Sequence, residues 1–139
     1  MKKTLGKRVS KISMNIVDAN LILRYLLHDA VQFIDQAMDT IENHHIFIPN
    51  EVIAEVVYVL EKVYKVDRPL IYDSLRNLLS YSNIATHDRR ILVEALKVYS
   101  EIKIDFVDSL LFAYSKIGGH TVFTFDKKLN QMLDDLSNA

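Results

Sequence analysis

The sequence predicts an α/β domain, in which four or five short strands form a parallel sheet covered on both faces by helices. Three observations predict it. Short apolar, β-branched runs alternate along the chain with stretches of helical period, the pattern of strand–helix–strand units. Half of the 139 residues are hydrophobic, enough for a full core and too many for a disordered chain. There are only three Gly, two Pro and no Cys, which removes loop-rich designs and disulfide scaffolds. The length suits one domain.

The elements follow in order. Asn15 to Asp18 reads as a short buried strand through Ile16 and Val17. A helix from Ala19 or Asn20 to Leu27 follows, with Leu23, Leu26 and Leu27 on its apolar side, then a second from about Ala30 to Glu42. The run His45 to Pro49 is the next strand, stopped by Pro49. Asn50 is placed to cap a helix reaching about Tyr64, and a loop with Pro69 leads to a helix ending near Leu79. Asn83 to Thr86 is a weak strand. Asp88 caps a long helix to Glu101, and Asp105 opens another to Lys116, stopped by Gly118 and Gly119. Thr121 to Phe125 has the alternation of a last strand, and Asp126 opens a terminal helix to about Leu133.

Composition narrows the chemistry. Without Cys there is no thiolate zinc site and no Cys nucleophile. The Gly residues are too few and too scattered for a phosphate-cradling loop. No apolar run approaches the length of a membrane span, and the first residues lack the apolar core of a secretory signal, so a cytoplasmic protein is expected. The net charge of −1 conceals an asymmetry. Residues 1–13 carry Lys2, Lys3, Lys7, Arg8 and Lys11 with no acid, a basic leader that is either a nucleic-acid-binding arm, a disordered tail or a segment upstream of a true start at Met14. The body, 14–139, is left with 12 basic against 18 acidic groups. An acidic body is a poor electrostatic nucleic-acid binder, but it is compatible with a pocket that holds a divalent cation.

In open parallel sheets, ligands bind beyond the carboxyl ends of the strands. Four acids are expected there. Asp18 follows the first strand and Asp126 follows the run Thr121 to Phe125. Glu55 lies in the second turn of the helix after Pro49, and Asp108 in the first turn of the helix before Thr121. At 100° per residue, Glu55 falls about 40° outside the apolar face of its helix, while Glu61 points well away from it. Asp108 borders its helix's core face, and Asp105 lies about 60° further round. Each acid also has a structural reading: Asp18, Asp105 and Asp126 as helix caps, Glu55 as a solvated flank. Capping does not explain why all four map to one edge. Two like charges ~4 Å apart repel by about 4 kcal/mol at an effective dielectric near 20, so such a cluster needs a proton or a cation. Oxygen ligands without Cys or paired His favour Mg²⁺ or Mn²⁺.

The order Asp18-Ala-Asn20, Ala54-Glu55-Val-Val-Tyr-Val-Leu60, Asp105-Phe-Val-Asp108 and Thr124-Phe-Asp126-Lys-Lys resembles the PIN-domain ribonucleases, most of all the VapC-type toxins of toxin–antitoxin pairs. The resemblance runs from Met14 to about Leu136, and the leader departs from the family's usual start. It implies a three-layer α/β/α sandwich, a bound Mg²⁺ or Mn²⁺, RNA as substrate, and a small antitoxin partner in a homodimer or hetero-oligomer. It assigns catalysis to Asp18, Glu55, Asp108 and Asp126, with Asp18 and Asp108 as the principal metal ligands and Glu55 and Asp126 completing the acidic ring. Asn20, Thr124 and Asp105 match accessory positions.

Lys127, Lys128 and Arg24 are candidates for RNA phosphates, Lys127 and Lys128 being the best placed because they adjoin Asp126. A solvated face is the competing reading for each. Three other functions fit an acidic α/β pocket or this resemblance: a PIN-like module in RNA processing or binding outside a toxin–antitoxin pair, a structure-specific DNA nuclease, or a phospho-accepting signalling receiver. A receiver wants paired acids at the first strand end, where this chain has only Asp18.

Overall fold

Strand direction decides where a site can form, and here all the pairing is parallel. The computed structural model describes residues 14–28 and 33–139, so the basic leader lies outside the described residues. In chain order the elements are β1 (Asn15–Ile16), α1 (Ala19–Leu27), α2 (Ile34–Asn43), β2 (Ile46–Phe47), α3 (Asn50–Lys62), α4 (Arg68–Leu79), β3 (Ile84–Ala85), α5 (Arg89–Glu101), α6 (Phe106–Lys116) and α7 (Lys127–Ser137). The strands run in the order β1-β2-β3, with Asn15 beside Ile46 and Ile46 beside Ile84. The α/β class expected from the sequence is thus the observed one.

The capping acids behave as their positions predict. Asp18, Asp88, Asp105 and Asp126 each accept a backbone N–H from the first turn that follows them. Gly119, at φ 72°, supplies the left-handed residue beyond α6. Asn50 departs from expectation. Pro49, with its fixed φ and extended ψ, takes the cap position of α3, and Asn50 becomes the first helical residue. Its amide is thereby free to donate to the Tyr114 hydroxyl, 3.0 Å away.

The sheet is smaller than predicted, with three strands among the described residues instead of four or five. The run Thr121 to Phe125 forms no ladder. Its residues still alternate as an extended chain does, but the bulky ones face out: Phe123 is 93 % exposed and Phe125 fully so. The reason is local. The Thr124 hydroxyl accepts from the Asp126 N–H (3.0 Å), and the Thr124 carbonyl accepts from the Asn130 amide (2.8 Å), so the run is tied to the start of α7. A strand needs an edge as well as a pattern. Cover is also incomplete at β1, where Ile16 is 61 % exposed while Ile46, Ile48 and Ile84 are buried.

The main core joins these strand residues to α1, α3, α4 and α5 through Ile22, Ile53, Leu60, Leu75, Leu92 and Leu96. A second, smaller cluster of Val98, Ile104, Phe112 and Leu129 seats α7 on α5 and α6. The Asn83 amide binds the end of α2 to β3, donating to the carbonyls of Ile41 (2.6 Å) and His44 (2.8 Å). Replacing Asn83 by Ala strands both carbonyls, and we expect urea denaturation to show a loss of about 1–3 kcal/mol. No helix among the described residues is long and apolar enough to cross a membrane.

Candidate active site

Each predicted acid sits at a helix start or in an early turn, and local bonding fixes most of them. The Asp18 carboxylate accepts the Leu21 N–H at 2.9 Å, and Asn20 stands exposed beside it in the first turn of α1. Asp105 caps α6 by accepting the Asp108 N–H at 2.8 Å, and its own carbonyl accepts from the Ser109 hydroxyl at 2.9 Å. Asp126 accepts the Leu129 N–H at 2.8 Å. In each case one carboxylate oxygen is engaged in capping, which leaves the other without a cap bond.

Asp108 is the electrostatic centre of this set. Half-buried in the first turn of α6, it is pushed above the usual Asp range by burial first, then by repulsion from Asp105 and Asp126. Asp105 and Asp126, at two different helix starts, therefore both lie within electrostatic reach of Asp108. Neither Asp18 nor Glu55 is among the acids that act on Asp108. A hollow of about 290 Å³ between Ala54, Val57 and Tyr58 of α3 and Asp105, Phe106 and Val107 sets the start of α6 against the part of α3 that carries Glu55. Glu55 itself is exposed. Asp18 lines a separate hollow with Asn20 and Arg24.

The chemistry of Asp105, Asp108 and Asp126 fits a hard divalent ion: the donors are all oxygen, and the central one bears a charge its surroundings oppose. Among the described residues no three His, Cys, Asp or Glu side chains close on a single point. Two oxygens beside the strand ends add to the polar character of that edge. Asn50 Oδ1, just after β2, and Thr86 Oγ1, just after β3, are buried without a protein partner. Neither was singled out from sequence as a functional residue. The only available signal was a polar residue directly following a strand.

The basic candidates are placed differently from one another. Lys128 donates to the Lys103 carbonyl at 3.2 Å, which ties α7 to the loop before α6. Lys127 is exposed. The Arg24 guanidinium lies 5.5 Å from the centroid of the Phe33 ring.

Glu61, which the helical wheel sets well away from the apolar face of α3, has polar partners there: it accepts from Arg68 Nε (3.0 Å) and from the Tyr99 hydroxyl (2.6 Å). Burial pushes its carboxyl up, but those two hydrogen bonds outweigh it and hold the group below the usual Glu range. The wheel does not reveal these partners, because an Arg on the next helix creates a polar contact that no single-helix pattern contains. With Ile102, these residues line a hollow of about 450 Å³ that holds none of the predicted site acids.

Comparison with known proteins gives two findings. The family model described as PIN domain matches residues 16–133. A VapC ribonuclease of Aquifex aeolicus (strain VF5) is 28 % identical over 124 residues, covering 86 % of this chain and 92 % of that protein. No solved structure gives a significant match.

Proposed function

The chain belongs to the PIN-domain family, and from that membership we infer that it is an endoribonuclease, dependent on Mg²⁺ or Mn²⁺, acting as the toxin of a toxin–antitoxin pair. The likeness to a VapC ribonuclease along most of both chains supports RNA as the substrate and a small antitoxin as the partner, in a homodimer or hetero-oligomer. A cytoplasmic site of action goes with that reading.

The observation that carries the chemistry is the state of Asp108. A carboxyl raised by burial and by two neighbouring acids is one whose ionised form a cation favours. The family match proposes Asp18 and Asp108 to hold the ion, with Glu55 and Asp126 completing its surroundings; of these, Asp126 is the one that acts on Asp108 in this structure, together with Asp105. When bound, a divalent ion acidifies a water and offsets charge on the phosphate oxygens. The remaining work falls to the chain. Thr124, by accepting the Asp126 N–H, fixes the turn from which the Asp126 side chain projects. Asp105 holds the start of α6, and with it Asp108, in place. Lys127 and Arg24 offer positive charge to an RNA strand whose approach the acidic body otherwise opposes.

The test is cleavage of total RNA and defined single-stranded RNA by purified chain freed of any bound inhibitor. Cutting is expected with Mg²⁺ or Mn²⁺, abolished by chelation and restored by adding either ion back. Intact RNA in both ions overturns the enzyme reading.

A further inference from the structure

The hollow beside Asp18 has features that the acids do not explain. It measures about 230 Å³ and lies between α1 and the start of α2. Leu21 and the buried Ala37 give it apolar walls. Phe33 and Arg24 contribute two planar groups, with the guanidinium 5.5 Å over the ring. Phe33 is 51 % exposed, so much of the ring is available to a further planar partner. Gln36 lies one turn on from Phe33, its amide offering both a donor and an acceptor.

Phe33 also breaks two local rules at once. It occupies the cap position of α2, where Ser, Thr, Asp or Asn is favoured, and makes no side-chain cap bond. Its φ is 73°, in the left-handed region that an aromatic L-residue occupies only at a cost. Its carbonyl accepts the Ala37 N–H at 2.9 Å as any cap residue's does, but its side chain adds no bond to the helix start, and its backbone is strained where it stands.

We propose that this hollow is a nucleobase pocket, in which Phe33 and Arg24 stack on one unpaired base of the RNA and Gln36 reads its edge. The inference rests on the ribonuclease reading and names the specificity residues of that same site. A planar π-faced ligand with polar edges matches both the stacking groups and the amide. The space is below the usual size of a drug-like site, which suits a single base. A phosphate fits less well, because the one cation present, Arg24, shares the hollow with the Asp18 carboxylate.

The experiment measures binding of short single-stranded RNAs by fluorescence anisotropy, in Mg²⁺, to the full chain carrying Asp108→Asn. Three backgrounds are compared: Phe33 retained, Phe33→Ala and Phe33→Trp. A second RNA set has each position made abasic in turn. We expect Phe33→Ala to weaken binding about tenfold and Phe33→Trp to retain it. One abasic position should give the same loss as Phe33→Ala, and the two losses should not add. Equal affinity of the Ala variant, failure of Trp to rescue, additive losses, or no RNA binding at all overturns the pocket. Thermal melting of each variant confirms that it is folded. The ribonuclease reading stands or falls separately, on cleavage by the unaltered chain.

Discussion

Asp108→Asn is expected to lower RNA cleavage by about 10²–10³-fold or more, the scale seen when one group that stabilises developing charge is removed, and at the same time to make the protein more stable at neutral pH. The two effects share one cause. Burial, and then Asp105 and Asp126, raise the proton affinity of Asp108 in the folded chain. The native state therefore holds that proton more tightly than the unfolded chain does. Stability falls as pH rises through the interval above the ordinary Asp value of 3.8, and at pH 7 the ionised carboxylate is a net burden. An amide carries no charge to oppose, so the variant melts higher at pH 7, and the difference closes below about pH 3.8. A divalent ion reverses the order. It stabilises the parent by about 2.7 kcal/mol at a hundred times its Kd and leaves the variant nearly unmoved. Calorimetric melts at two pH values, with and without Mn²⁺, check each arm. A variant that is less stable at pH 7 and still cuts RNA would sink the assignment.

What the sequence made legible follows from how local each signal is. The caps Asp18, Asp88, Asp105 and Asp126 were readable because a cap is a bond between a side chain and the next turn. The helices were readable because their apolar faces repeat within one element. Thr121 to Phe125 was misread because alternation states how a segment would pair, while its bonds to α7 decide that it does not. Asn50 lost its capping role to a neighbour, Pro49, whose backbone already has the required shape. Of the four acids expected at one edge, Asp108 and Asp126 are in electrostatic contact, while Asp18 and Glu55 are not among the groups that act on Asp108. The hollow of Arg24, Phe33 and Gln36 was not legible, since two helices build it and neither half is distinctive alone. The same holds for the contact that anchors the third acidic motif.

That contact is Arg68, and replacing it by Ala is expected to destabilise the fold by about 1–3 kcal/mol, the cost of leaving the half-buried Glu61 carboxylate and three backbone carbonyls without their shared donor. Its Nε binds Glu61, and its Nη1 reaches the carbonyls of Tyr99 (2.9 Å), Ile102 (3.3 Å) and Ile104 (2.6 Å). The guanidinium also lies 4.0 Å from the centroid of the buried Tyr99 ring. One planar group thus joins α3, α4, the end of α5 and the loop leading to Asp105. Arg68→Lys is not a rescue, because a single ammonium cannot serve a carboxylate and three carbonyls in a fixed fork. Glu61→Gln tests the pair from the other side. Because Glu61 is held below its usual range, its contribution is present above the ordinary Glu value of 4.5 and is lost as pH falls through the lowered one. In the parent, stability should therefore decline through that acidic interval, and in Glu61→Gln that part of the decline should be missing. A double-mutant cycle in urea should return a coupling between Arg68 and Glu61 well above the ~0.2–1 kcal/mol of an exposed pair. Since the Ile102 and Ile104 carbonyls precede Asp105, Arg68→Ala should also cut RNA more slowly at temperatures where it is still folded. A loss below about 1 kcal/mol, the range of a surface ion pair, would mean that this loop is held by its apolar contacts alone.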